Sequence, residues 1–320
     1  MPTYTTHASP RMDLGVPFME YFWGQDTFIG SKVLPIVRSQ VYKGKFAKVQ
    51  REHLLRNEQL RRASRTAYNR DEFEAEDDDF TCEEYGLEIP IGADEQKMYR
   101  SDFDSGRVAM EMAALRLLLA YEKRVADAVF NTSTWTGATL YTDVDAGSNT
   151  MWQTTASAVP VEDIRAAKEK VFDLTGVVPD TLILNNKNLG YLLNNSDIIG
   201  RIKYVMAVGQ KAIEAGLKSI LGVEKIYVGK GVYNSEEEGV AFSGSAIWSD
   251  SYAMVCKTPN TGSLAEPCIG RSVLFAPDSN AEVVAESYWE EQTRTMVYRA
   301  RHYMDEVIID ASFGHLLKVD

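Results

Sequence analysis

Histidines, cysteines and clustered carboxylates are the residues of this chain that could do chemistry, and their spacing assembles no site. His7, His53, His302 and His315 are scattered, with neither HxxH nor HExxH spacing, so they form no zinc-ligand cluster. Each is expected at a surface or an interface. Cys82, Cys256 and Cys268 make no CxxC pair and lie near no nucleophile motif. They are expected as buried apolar thiols in a reducing compartment. Gly229-Lys230-Gly231 after a strand could turn around a phosphate, but it lacks the GxxxxGK[ST] or GxGxxG context and reads as a strand-end turn. Glu236, Glu237 and Glu238 beside Gly239 read as a solvated loop. The acidic run at 76–79 lacks the spaced oxygens and the glycine of a calcium loop. No GxSxG elbow is present. The chain is therefore expected not to be an enzyme, with no catalytic, cofactor or metal residues.

The bulk numbers agree with a protein built on its core. At 320 residues, 45% hydrophobic and 25% charged, the chain is long enough for one large domain or two moderate ones. Its formal net charge is −12, from 34 basic and 46 acidic residues. A protein that wraps duplex DNA needs a basic face, so sequence-specific DNA binding is not expected. The first residues lack the charged start and apolar run of a signal peptide. The most apolar helix carries Arg116, Glu122, Lys123 and Arg124, which rules out a span of about 20 apolar residues there. A soluble protein made in the cytoplasm is expected, without a membrane partner.

The elements divide the chain unevenly. Residues 1–40 alternate short apolar clusters with Gly and Pro and read as an extended arm leaning on something else. From about 104 to 130 comes the strongest helix. Val108, Met112, Leu115, Leu119, Ala126 and Val129 recur at helical steps, and Met110, Leu117, Leu118, Tyr121 and Val125 widen the stripe. A helix that long is a spine on which other elements rest. Residues 131–153 read as a loop or weak hairpin. At Pro160 an α/β unit begins, with helices near 160–175, 188–193, 197–204 and 211–221 and strands near 181–184, 225–228, 246–248 and 252–256. The segments 281–288, 293–300 and 302–309 read as an antiparallel sheet laid against the spine, which makes the α/β unit an insert.

Between arm and spine, charge is sorted by sign. Residues 41–70 hold nine basic and two acidic side chains, and residues 71–84 hold nine acidic and none basic. Two such limbs have too few large apolar residues for a core of their own. They can pair with each other as a protruding hairpin, or lie across the surface of another molecule.

Several stretches, in order, resemble the major capsid proteins of tailed bacteriophages, the Hong Kong 97-type shell protein family. They are Phe28-Ile-Gly-Ser-Lys-Val-Leu-Pro35, Phe80-Thr-Cys-Glu-Glu-Tyr-Gly-Leu87, the spine helix, Pro160-Val-Glu-Asp-Ile-Arg165 and 176–184. Ser196-Asp-Ile-Ile-Gly-Arg-Ile-Lys-Tyr204, Leu221-Gly-Val-Glu-Lys-Ile-Tyr-Val228, Val232-Tyr-Asn234 and Ile247-Trp-Ser-Asp250 follow. The resemblance rests on their order and spacing over most of the chain.

The resemblance implies an α+β Hong Kong 97-type capsid fold. Its parts would be an N-terminal arm (1–40), an extended β-hairpin loop (41–90), a peripheral domain of spine helix plus antiparallel sheet (91–159 and 276–320), and an axial α/β domain (160–275). It implies a major capsid protein that assembles through hexamers and pentamers into the icosahedral head around the double-stranded DNA genome of a tailed phage. The partners would be further copies of the chain, a separate scaffolding protein, a portal, a decoration protein and packaged duplex DNA contacted non-specifically. The location would be the virion, after synthesis in the host bacterial cytoplasm. Some relatives carry an N-terminal scaffolding segment, whose absence here implies a separate scaffold or prior processing. Some crosslink a loop lysine, for which Lys43, Lys45 and Lys48 are candidates by position only. The residues expected at the subunit contact are Arg51, Arg56, Arg61, Arg62, Arg65, Glu74, Glu76, Asp77, Asp78 and Asp79. The alternatives are an encapsulin-like nanocompartment shell holding cargo, and a monomeric α/β enzyme using the 160–275 unit.

Overall fold

Alternating strands and one long amphipathic helix sort the described residues into two large sheets joined through a shared core. Two two-stranded ladders, Lys43–Val49 with Ala75–Thr81 and Val232–Asn234 with Gly244–Ala246, lie beside them. A computed structural model describes residues 9–10, 27–49, 61–62, 65, 67–68, 70, 75–99, 104–145, 150–205, 210–237, 239–260, 266–277 and 281–320. The arm contributes β1 (Ser9–Pro10), one helical turn α1 (Gly30–Val33) and β2 (Ile36–Ser39). The charge-sorted segment forms β3 (Lys43–Val49) and β4 (Ala75–Thr81), and the chain continues past Cys82 as β5 (Glu83–Gly92) and α2 (Ala93–Tyr99). The spine is α3 (Ser105–Val129), followed by α4 (Gly137–Leu140) and β6 (Tyr141–Asp143). Next come α5 (Pro160–Thr175), β7 (Thr181–Asn185), α6 (Asn186–Asn194), α7 (Ser196–Val205) and α8 (Gln210–Leu221). The strands β8 (Lys225–Gly229), β9 (Val232–Asn234), β10 (Gly244–Ala246), β11 (Tyr252–Cys256) and β12 (Gly270–Phe275) follow. The chain closes with β13 (Val284–Glu290), β14 (Thr295–Ile308), a 3-10 turn at Ala311–Phe313 and β15 (Gly314–Lys318).

The six-stranded sheet is organised around β14, whose 14 residues make it the longest strand described. β13 pairs with its first half and β12 with its second, both antiparallel, while β5 runs along the opposite edge for ten residues. β2 joins β12 in parallel and β1 pairs with β13. The five-stranded sheet has the order β6-β15-β11-β7-β8, antiparallel about β11 and parallel at both edges.

The spine starts at a side-chain cap. The Asp104 carboxylate accepts from the backbone N–H groups of Gly106 and Arg107 at 3.1 and 3.2 Å, satisfying two donors that the first turn leaves open. At 25 residues the helix is about 38 Å long. Its buried stripe is rotated from the expected one. Ala109, Met110, Ala113, Ala114 and Leu117 pack on Ala285, Tyr298 and Ala300 of the six-stranded sheet. Val108 and Met112 instead are 41% and 43% exposed. The physical reason is size: alanines let helix and sheet approach closely, whereas the periodicity weighted the larger side chains. The next helix behaves as expected, with Pro160 in its first turn and Gly176 at φ 70° closing it.

Three apolar cores follow from this layout. One lies between the first half of α3 and the six-stranded sheet. A second lies between the five-stranded sheet and the helices of the 160–221 stretch, centred on Ile164, Leu182, Leu184 and Leu192. The third joins both sheets to the second half of α3 and to the arm residues Ile29, Val33 and Leu34. Adjacent residues of β15 point to different cores, Leu316 into the joint core and Leu317 into the second, as the two-residue period of a strand requires.

The strands divide differently from the expected boundaries at three places. β15, expected in the sheet on the spine with 276–320, lies inside the five-stranded sheet between β6 and β11. β6, expected outside the α/β unit, is an edge of that same sheet. β12, expected in the 160–275 unit, belongs to the six-stranded sheet. Short apolar strands carry no local mark of their sheet; that choice is made by which core takes their side chains. Replacing Leu117 by Ala is predicted to lower stability by about 2–5 kcal/mol. Val108→Ala should stay within about 0.5 kcal/mol. Urea unfolding of the two variants checks which face of the spine is buried.

Candidate functional site

The residues that looked chemically capable are spent on structure. His302 and His315 are buried, not superficial as expected. His315 sits between Thr142 Oγ1 (2.8 Å from Nε2) and the Thr139 carbonyl (2.9 Å from Nδ1). His302 Nε2 lies 3.1 Å from the Arg124 guanidinium. His7 and His53 lie outside the described residues. All three cysteines are buried free thiols, and burial pushes the Cys82 thiol up to about 11. Gly229 ends β8 where a side-chain carbon would stand 2.3 Å from the Trp248 ring, so the glycine there serves close packing. Glu236 and Glu237 are exposed, and Glu238 is outside the described residues.

The charge-sorted limbs pair as an antiparallel ladder in which Lys45 faces Asp79 and Lys48 faces Glu76. Lys45 Nζ is 3.7 Å from Asp77, with both side chains more than half exposed. Such a pair is worth about 0–1 kcal/mol. Lys48 reaches 3.8 Å from Asp310, a largely buried carboxylate that also caps the 3-10 turn by accepting from Ser312 N–H. Glu76, Asp77, Asp78 and Asp79 are brought together on β4, all exposed. Arg61, Arg62 and Arg65 are exposed as well, and the Arg62 guanidinium lies 4.3 Å above the ring of Tyr68, itself 73% exposed. Among the described residues no ion pair joins these three arginines to the acidic run. Arg51, Arg56 and Glu74 lie outside the described residues.

The root of the hairpin is packed against the six-stranded sheet. Tyr42, Phe275 and Tyr303 meet edge to face at 5.9–6.4 Å, an arrangement that adds to simple burial. Thr81 N–H donates to the Asp305 carboxylate at 2.8 Å, Cys82 N–H donates to the Tyr42 carbonyl at 3.0 Å, and the Cys82 side chain is buried. β4 then runs directly into β5 and its ladder with β14. Exposed charges therefore sit on a hairpin held firmly at its base.

The polar groups that join the two large sheets were missed in the sequence. Glu122, on α3, is 1% exposed. Its Oε1 accepts from Ile29 N–H at 2.9 Å and from Trp248 Nε1–H at 2.7 Å, and its Oε2 accepts from Gly30 N–H at 2.7 Å. Burial raises its pKa against the pull of those three donors. The signal was available, because a carboxylate flanked by Tyr121 and Val125 falls inside the apolar stripe. Further along, Arg124 holds Glu306 with two nitrogens and covers the Tyr85 ring at 3.7 Å. On the other face of β14, Glu286 is clamped between Arg299 and Arg301. Burial works to raise the Glu286 pKa, but hydrogen bonds from Arg301 and Arg299 outweigh it and lower it. The Arg299-Ala-Arg301 alternation was its visible mark.

Two of the buried groups give the fold an acid limit. Burial, and then the nearby Arg124 charge, lower His302 to about 3; burial lowers His315 to about 4. Histidine in the unfolded chain titrates near 6.5, so between those values the unfolded state binds more protons. Stability is predicted to be constant above about pH 6.5 and to fall below it, by at most about 1.4 kcal/mol per pH unit for each histidine. Thermal unfolding between pH 8 and 4 should show this slope, and His302→Leu should flatten it.

No family model matches the chain. A curated relative, the major capsid protein of Burkholderia phage BcepMu, is 29% identical over 213 residues, and the match spans 66% of each chain. Among solved structures, a phage-related protein from Bordetella bronchiseptica RB50 superposes with a TM-score of 0.70 at 20% identity over 98% of both chains. The capsid of cyanophage P-SCSP1u gives 0.57 at 12% identity over 89% of this chain and 86% of that one. The virus-like particle of Pyrococcus furiosus gives 0.57 at 12% identity over 95% and 98%.

Proposed function

We infer that this chain belongs to the Hong Kong 97-type capsid proteins and is the major capsid protein of a tailed bacteriophage. The observation that carries the reading is the similarity to a phage major capsid protein over 213 residues, in a chain whose fold matches that of a virus-like particle over 95% of its length. Its role is structural. Copies assemble through hexamers and pentamers into an icosahedral head around duplex DNA, with a scaffold, a portal and a decoration protein as further partners. An acidic chain suits that task, because a wall without a basic face does not trap the genome it encloses. No helix among the described residues is long and apolar enough to cross a membrane.

In this reading residues 1–40 are the arm, the hairpin within 41–90 is the extended loop, the six-stranded sheet with α3 forms the peripheral part and the five-stranded sheet with α5–α8 the axial part. The loop lies on a neighbouring subunit, and its exposed arginines and carboxylates set the register of that contact. Each ion pair is weak, but the contact repeats at every subunit and is screened by salt.

Electron microscopy of the concentrated protein is expected to show closed shells. The triple variant Arg61→Glu, Arg62→Glu, Arg65→Glu should keep the circular dichroism and melting temperature of the unmodified subunit while forming no normal shells. Normal particles from that variant would remove the loop from the contact.

A further inference from the structure

We infer that Glu122 is a positioning residue that sets the angle between the two sheets, and through it the curvature of the assembled shell. The inference rests on the shell reading above. The chain passes between the sheets three times, from α3 to β6, from β11 to β12 and from β14 to β15. At those crossings the sheets share the joint core, which is apolar. Apolar contact is non-directional and tolerates sliding; a hydrogen bond constrains distance and angle together. Glu122 places three such bonds at the centre of this core, and they come from both sides.

On one side, the donors are the N–H groups of Ile29 and Gly30, which begin the turn leading into β2 at the edge of the six-stranded sheet. The approach is close enough that a side-chain carbon on Gly30 would lie 2.6 Å from Oε2. On the other side, the donor is the indole of Trp248. Trp248 is fully buried and tied to the five-stranded sheet: its carbonyl accepts from the Asn185 amide at the end of β7, and its ring covers Gly229 at the end of β8. Phe130 at the end of the spine meets the same ring edge to face at 5.2 Å. A rotation of one sheet against the other would therefore break a bond to a buried carboxylate, which has no water to replace it. In a closed shell, the small angle that each subunit keeps is repeated by every copy.

The test compares shells of the unmodified chain with shells of Trp248→Phe and Glu122→Gln. The first variant deletes one N–H and keeps an aromatic ring. The second keeps the shape but points an N–H₂ where an acceptor is needed. Leu117→Ala, which weakens the core away from the joint, is the control. Expected are folded subunits whose shells shift or broaden in diameter for Trp248→Phe and Glu122→Gln, and shells of unmodified diameter for Leu117→Ala despite its lower melting temperature. Unmodified diameters from both joint variants, or the same change from Leu117→Ala, would overturn the inference while leaving the shell reading intact. If Glu122→Gln does not fold, Trp248→Phe decides alone. Absence of shells from the unmodified chain would remove the shell reading itself.

Discussion

A buried carboxylate must find hydrogen-bond donors, and in this protein the demand of Glu122 organises the subunit. With three N–H groups on its two oxygens, the arm, the spine and the five-stranded sheet meet at one point. Ile29 and Trp248 share Oε1 and Gly30 serves Oε2, so losing the Gly30 bond would leave that oxygen dry at a cost of about 1–3 kcal/mol, more because the group is charged. The apolar residues around it, Ile29, Val125, Trp248 and Leu316, supply the bulk of the burial, but they would tolerate several arrangements. Specificity at the joint comes from the polar node.

The same division between bulk and direction recurs along β14. Its face toward the spine buries Tyr298, Ala300 and Met304, while the opposite face holds Glu286 between two arginines. Burying such a group without partners would be costly, and with both partners it is close to neutral. These clusters hold the sheet in register more than they stabilise it. Acid weakens the fold through the neutral buried imidazoles and through the Glu286 carboxylate between its arginines, because each of these favours the native state less as protons are added.

The charge-sorted hairpin is the opposite case. Its ladder and aromatic root are internal and ordered by backbone bonding, and its charges remain in water. Lys45 pairs with Asp77 and Lys48 reaches Asp310, so part of the sorting serves the hairpin itself. Internal pairing therefore accounts for part of the sorted charge. The basic strand meets the acidic one, and Arg61, Arg62 and Arg65 stand outside that pairing among the described residues.

The sequence by itself determined the elements that local rules control. Pro160 starts a helix and Gly176 ends it, because such signals act within a turn. The strand-like stretches over 281–309 were legible in the sequence but the strand at Gly314–Lys318 was not, and the sign-sorted charge left pairing between the limbs as one of two readings. Only the tertiary structure decided what depends on which surfaces meet. It turned the spine so that alanines, not Val108 and Met112, face the sheet, and it drew β15 and β6 into the five-stranded sheet. It buried His302 and His315, and it brought Ile29, Glu122 and Trp248 together from positions more than ninety residues apart. No local signal carries such a contact, since its free energy exists only once the distant donors are delivered to the same carboxylate and water is excluded from it.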